Sequence, residues 1–491
     1  VLPGEGSGPG LRGDQFDSIV ENEFLHVTDT PLSTFSIDTD TASYSKIRSY
    51  LRDFHQMPQP GMVRIEELIN YFSYNYAGPD DERPFAAHLA AASCPWNAEH
   101  RLVRVALKGR EIDPAKRPAS NLVFLLDVSG SMDQPNKFPL MVQALKLLTQ
   151  QLTENDRVAI VVYAGAAGLV LDSTTGDRPQ EIEAALDRLR AGGSTNGGEG
   201  ITLAYQHALD HFIKGGTNRV ILCTDGDFNV GTTSTDALVT LVAEQAKAGV
   251  FLTVLGFGTG NLNDALLEQI SNRGNGNYAF VDTLKEARKV LVEQIASTMV
   301  VLAKDVKIQV EFNPNRVASY RLLGYENRVM AARDFNDDKK DAGEIGPGHT
   351  VTALYEIVPV TAEGKNPSAA ESALDPLKYQ SQSEPTDAAL SDELLTLKLR
   401  YKAPEADQSQ LVSFTLTDTG ASFAESDRDL QFAAAVAAFG MVLRDSKFKG
   451  NATLPAVLEL AQAAYDASDP GSEYRQELIE LVRQAMTIVG Q

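Results

Sequence analysis

Cysteine is almost missing from this chain, whose 491 residues include only Cys94 and Cys223. Two cysteines this far apart make no metal motif, and the redox compartment stays open. Cys223 ends the apolar run Val220-Ile221-Leu222-Cys223, which reads as a central strand, so a small buried thiol is expected there. Long apolar runs are missing as well: no stretch approaches the ~18 consecutive apolar residues of a membrane helix. Basic charge is scarce, with 44 Lys and Arg against 66 Asp and Glu and a formal charge of −22. That balance argues against a nucleic-acid partner, whose phosphates must be neutralised by Lys and Arg. It also disfavours an anionic membrane surface and favours solubility.

Catalytic signatures are missing too. No Gly-x-Ser-x-Gly elbow, Walker loop or dinucleotide fingerprint occurs, and Gly256-Phe257-Gly258-Thr259-Gly260 has the wrong spacing for a phosphate loop. Among seven histidines, His207 and His211 form an i, i+4 pair. The adjacent Glu of a zinc-protease helix is absent, so a helix-capping role is expected for them.

What is present is a change of grammar along the chain. Val1 to Gly10 is Gly-rich and linker-like, which leads us to expect an upstream export or anchor segment. A strand at Thr34–Ile37 and helices around Tyr44–Phe54 and Arg64–Tyr71 follow, then an alternating strand at Leu102–Leu107. From Asn121, apolar strands at Leu122–Leu126, Val158–Tyr163, Arg219–Cys223 and Phe251–Phe257 alternate with amphipathic helices. The last of these helices is expected over about Leu284–Val300. Such alternation predicts a doubly wound, mostly parallel α/β sheet with its ligand site at the carboxyl ends of the strands. After Val301, alternating stretches such as Val306–Val310, Val351–Val358, Leu395–Leu399 and Val412–Leu416 predict an antiparallel, sandwich-like domain. A polar loop over about Ala362–Glu393 interrupts it, and the chain ends in helices near Leu430–Arg444, Pro455–Tyr465 and Ser472–Val489. The resulting expectation is a linker-like segment 1–30, an accessory domain 31–118, the α/β domain 119–300, a β-rich domain 301–420 and a helical region 421–491. Strand Leu102–Leu107 is expected to pair with strands of 305–416, which makes the α/β domain an insertion. The C-terminal helices are expected to pack on that assembly.

The first α/β strand runs into Asp127-Val128-Ser129-Gly130-Ser131. Carboxylate and hydroxyl groups at alternate positions of a strand-to-loop turn converge on one point, and Gly130 lets the backbone bend there. Two further pieces fall at strand ends: Thr195 within Gly192–Gly198, and Asp225-Gly226 directly after Cys223 and Thr224. Oxygen ligands with few charges suit a hard dication, Mg²⁺ first, with Ca²⁺ or Mn²⁺ as alternatives. N-capping alone accounts for Asp127 to Ser131 individually, but not for three pieces in order.

This set resembles the metal-ion-dependent adhesion site of von Willebrand factor type A domains. The resemblance implies that Ser129 and Ser131 bind the ion directly, and that Thr195, Asp127 and Asp225 bind it directly or through water. It also implies that one coordination place is left for an acidic group of a protein partner. Ser33–Tyr44, Arg64–Phe72, Gly324–Arg328 and Ala437–Arg444 are similar to the bacterial YfbK-like family, which implies an N-terminal accessory domain, the type A domain and a C-terminal domain. The expected function is a non-enzymatic, cation-dependent, adhesion-type binding module in the bacterial envelope or outside the cell. The alternative is a scaffold or regulatory subunit for a partner enzyme such as an ATPase motor. Membrane contact is expected only through an upstream anchor.

Two acidic stretches fit a site less well. Asp334–Glu344 begins like a calcium loop but has Lys339 where the EF-hand turn needs Gly, and Ile345 at its last position, so a solvated turn is expected, with a non-EF calcium site as the other reading. Asp38 and Asp40 read as a strand end and a helix cap, with two carboxylates facing one ion as the other reading.

Overall fold

A computed structural model describes residues 14, 16, 18–37, 40–113, 116–194, 197–226, 234–294, 297, 299–360 and 385–490. The chain divides into two compact units. One gathers residues 1–17, 40–49 and 112–301, and the other 18–39, 50–111 and 302–491.

In the first unit, the described residues form a six-stranded sheet in the order Tyr278–Val281, Val250–Phe257, Thr217–Thr224, Ser120–Asp127, Arg157–Tyr163, Ala167–Thr175. Neighbours are parallel except the last, which runs antiparallel along the edge. Ser120–Asp127 is buried along its whole length because helices cover both faces. Its side chains alternate between two cores. Leu122, Phe124 and Leu126 pack with Met141, Leu145 and Ile182 on one side, while Val123 and Leu125 pack with Ile201, Ala204 and Leu238 on the other. The next strand in sequence, Arg157–Tyr163, lies on one side of it and Thr217–Thr224 on the other. Their divergence opens a crevice at the carboxyl ends, which is where a ligand site belongs in such a sheet.

Helices at Phe138–Thr149, Pro179–Arg188, Gly197–Asp210, Thr235–Lys247 and Asp264–Arg273 match the expected periodicity. Within the expected last helix, Leu284–Arg288 passes into a π-turn at Lys289–Glu293, and Ser297 and Met299 are helical again. Cys223 is a free, fully buried core thiol.

The second unit is a sandwich. One sheet has the order Leu25–His26, Val317–Leu323, Thr350–Pro359, Asn97–Gly109, Phe85–Cys94. The other runs Gly343–Ile345, Ala303–Phe312, Glu393–Lys402, Gln410–Thr417, with Leu32–Ser36 also paired to Ala303–Phe312. Leu102–Leu107 pairs with Val351–Glu356 in antiparallel register. The α/β segment therefore interrupts the sequence of one continuous sheet. Val103, Val105, Tyr355, Ile308, Val310 and Leu397 fill the space between the sheets. Segments 31–118, 301–420 and 421–491 thus contribute to one unit, apart from Asp40–Ser49, residues 112–118 and Val301, which group with the first. Neither half of the sandwich can bury its apolar face without the other.

On the outer face of the first sheet, the almost fully buried helix Arg428–Leu443 crosses Ile65–Asn70. Gly440 permits the close approach, since a Cβ there would lie 3.0 Å from Ile65 and 3.1 Å from Leu68. Buried Glu356 in the same face takes bonds from Trp96, His100 and Arg321. Despite its burial, these donors and the Arg321 charge keep its carboxyl below the usual carboxylate range. Strand Phe85–Cys94 has no clear signature in its Ala-rich sequence, because alanine has little intrinsic strand preference and the partner Asn97–Gly109 supplies the order.

Candidate functional site

Asp127 is the last residue of the central strand and is fully buried. Its Oδ1 accepts from the Ser129 amide at 2.9 Å, and its Oδ2 accepts from Tyr163 Oη at 3.2 Å and Thr224 Oγ1 at 3.3 Å. Burial pushes its pKa up to about 6, against the hydrogen bonds from Ser129 and with the charge of Asp225 adding to the rise. The backbone then turns so that Ser129 Oγ and Ser131 Oγ stand 3.0 Å apart.

The glycine-rich loop is tied to this turn. Gly192 N donates to Val128 O at 2.7 Å and Gly130 N to Gly193 O at 3.0 Å. Thr195 itself lies outside the described residues. Asp225, fully buried, follows the strand Thr217–Thr224. Gly226 takes φ of 97°, and a Cβ there would lie 2.5 Å from Leu262 Cα, so only glycine fits the turn. The four described residues of the expected set, Asp127, Ser129, Ser131 and Asp225, therefore gather at the carboxyl ends of two adjacent strands.

Two participants were not legible in the sequence. Lys137, buried at 2% exposure, donates to Asp225 Oδ2 at 3.0 Å and to Asn261 Oδ1 at 3.1 Å. Gly258, at φ of 69°, makes room for it, since a Cβ there would lie 2.5 Å from the Lys137 stem. Nothing in the local sequence marks Lys137 as a partner of Asp225. Asp14 Oδ1 accepts from the amides of Gly260 at 2.8 Å and Leu262 at 2.9 Å, which fixes the loop that carries Asn261.

The donor set fits a hard dication. It offers only oxygen, and the buried Asp127 carboxylate is ionised against its burial, with the charge of Asp225 adding to that cost. The fit has one opponent, because the Lys137 ammonium already neutralises part of Asp225.

The secondary candidates resolve as follows. In Asp334–Glu344, the backbone oxygens of Asp334 and Asp337 accept from Lys307 and that of Asp338 from Lys402, and Lys340 pairs with Asp334. Lysines thus hold oxygens that a calcium ion would need, as in an ordinary turn. Asp38 lies outside the described residues, and Asp40 accepts from the Tyr278 amide at 2.7 Å.

A family model described as von Willebrand factor type A domain matches residues 121–294. The chain is thus a type A domain protein, a class that generally mediates protein–protein interaction. Models described as von Willebrand factor and as the C-terminal region of uncharacterized protein YfbK match residues 11–104 and 297–488. The chain belongs to the YfbK family: it is 41% identical over 481 residues to the YfbK protein of Escherichia coli strain K12, covering 96% of this chain and 81% of that protein. Human inter-alpha-trypsin inhibitor heavy chain H3 is 28% identical over 258 residues, 48% of this chain and 28% of that one. Among solved structures, a von Willebrand factor type A protein from Catenulispora acidiphila is similar, with 17% identity and a TM-score of 0.45, covering 84% of this chain and 91% of that chain.

Proposed function

We propose that the chain is a non-enzymatic protein-binding module that holds Mg²⁺, or Ca²⁺ or Mn²⁺ in its place, through Asp127, Ser129, Ser131, Thr195 and Asp225. The observation that carries this reading is the pairing of a buried carboxylate, Asp127 with its pKa pushed to about 6, with two hydroxyls whose oxygens lie 3.0 Å apart. Two positive charges between Asp127 and Asp225 relieve their mutual repulsion. The Ser129 and Ser131 hydroxyls supply neutral oxygens, which keep the site from saturating the ion with negative charge. Tyr163 and Thr224 orient Asp127 from behind. When bound, the cation attracts an acidic group of a partner that a chain of charge −22 would otherwise repel.

Among the described residues no helix is long and apolar enough to cross a membrane. The envelope location expected above is a separate proposal, tested by fractionating cells that express the full gene product.

The experiment is a thermal shift with Mg²⁺ on the whole chain. Mg²⁺ at 100-fold above its dissociation constant should stabilise the wild type by about 2.7 kcal/mol. Asp127→Ala should lose that gain while keeping its circular dichroism. An equal Mg²⁺ shift in both proteins rejects the site.

A further inference from the structure

The i, i+4 pair His207 and His211 gains a third potential ligand that the sequence does not signal. Asp172 lies on the edge strand Ala167–Thr175, and its carboxylate and the two imidazoles offer ligand atoms that all lie within 4.8 Å of one another. The cluster belongs to the same unit as the candidate cation site but sits at the other end of the sheet. His207 stands about 15 Å along the helix axis from Gly197, and Asp172 lies between Leu171 and Thr174, which pair with Ile160 at the middle and Val158 near the start of the strand Arg157–Tyr163.

Each group is prepared for a ligand role. His211 Nδ1 lies 3.2 Å from His207 O, and a carbonyl only accepts, so the proton is on Nδ1 and the Nε2 lone pair is left for a metal. A backbone carbonyl holding the second ring nitrogen is the usual way that a metal-binding histidine is oriented. The two rings are nearly parallel, 7° apart, with centroids separated by 6.3 Å. His207 Nδ1 is buried and has no hydrogen-bond partner among the described residues. The helix-capping expectation is therefore met by His211 and leaves His207 unexplained. Asp172 Oδ1 accepts from the Ser173 amide at 2.7 Å. Its other oxygen has no protein partner among the described residues, so no lysine or arginine competes here as Lys137 does at Asp225.

We propose that Asp172, His207 and His211 form a second metal site, for a transition ion of the zinc class. Two imidazoles with one carboxylate are the wrong donors for Mg²⁺ and the right ones for Zn²⁺, Co²⁺ or Cu²⁺. A tetrahedral zinc ion with bonds of about 2.0–2.2 Å holds its ligand atoms roughly 3.4 Å apart, against the 4.8 Å within which the three atoms lie here, so an ion would draw the side chains together. Three protein ligands leave the fourth position to water or to a group from another molecule. The ion would fasten the edge strand Ala167–Thr175 to the end of helix Gly197–Asp210. The proposal does not depend on the Mg²⁺ reading of the first site.

The test uses metal-stripped, untagged full chain with excess Mg²⁺ present to fill any hard-ion site, titrated with Zn²⁺ against a chromophoric chelator. One equivalent should bind to the wild type and to Ser129→Ala. In His207→Gln, His211→Gln and Asp172→Asn the dissociation constant should rise by at least about 100-fold, beyond the ~10–100-fold that loss of a merely orienting partner causes. Cu²⁺ loaded on the wild type should show coupling to two imidazole nitrogens by electron paramagnetic resonance, a readout that requires no variant. Zinc affinity unchanged in the histidine variants overturns the proposal, as does a wild-type Cu²⁺ spectrum without two nitrogens.

Discussion

Replacing Asp127 by Asn removes a candidate ligand, yet it should stabilise the type A unit when divalent ions are chelated. Burial raises the Asp127 pKa from 3.8 to about 6. At about 1.4 kcal/mol per tenfold change in acidity, keeping this carboxylate ionised in the folded protein costs up to about 3 kcal/mol near neutral pH. The folded state holds the proton more tightly than the unfolded chain does. The group's stabilising contribution is therefore complete below 3.8 and is lost as pH rises through about 6. Asn removes the charge and keeps the shape. Its carbonyl oxygen can accept from the Ser129 amide, and its NH₂ meets the Tyr163 and Thr224 hydroxyls, which rotate to accept. Calorimetry in chelator near neutral pH should find the variant melting higher, by about 2–4 °C for each kcal/mol in a unit of this size. The gap should narrow towards about pH 5, where the wild type takes up its proton. Saturating Mg²⁺ should reverse the order, since only the wild type gains from it. A variant that melts below the wild type in chelator at neutral pH would refute the claim that an uncompensated buried charge shapes this site.

Three further outcomes follow from the same geometry. Lys137→Met removes the cation held 3.0 Å from Asp225, so isothermal titration should find Mg²⁺ binding tighter by at least about tenfold; the metal-free variant should be less stable by about 3 kcal/mol because buried Asp225 loses its ion pair with Lys137. Weaker Mg²⁺ binding would mean that Lys137 orients Asp225 rather than competing for it. Gly226→Ala places a Cβ 2.5 Å from Leu262 Cα at φ of 97°, and denaturant unfolding should show a loss of about 2–3 kcal/mol in the type A unit. In the sandwich unit, burial with the Lys108 charge lowers His349 from 6.5 to about 4, so its contribution is present above 6.5 and is lost as pH falls towards 4. Acid titration of the melting temperature from neutral pH to about 5 should show that loss in the wild type and not in His349→Gln.

Much of the type A unit was legible in the sequence because its information is local. Four of the six described strands are apolar runs that the sequence shows, while the edge strands Ala167–Thr175 and Tyr278–Val281 were not legible in it, and Asp127, Ser129, Ser131 and Asp225 are placed by being at strand ends. Nothing in that local pattern indicates which residue faces them from elsewhere in the chain. Lys137 meets Asp225 across 88 positions, and Asp14 reaches the Gly260 amide across 246. The same limit hid the third member of the Asp172, His207 and His211 cluster, which arrives on an edge strand whose pairing the sequence does not announce. In the sandwich, the alternation of Leu102–Leu107 announced a half-buried strand, while its register with Val351–Glu356 was decided only when the two sheets closed on one core. A strand's alternation determines which face is apolar, and backbone hydrogen bonds are the same for every partner. The choice of partner is therefore made by packing, where the side chains of distant segments must fill one volume.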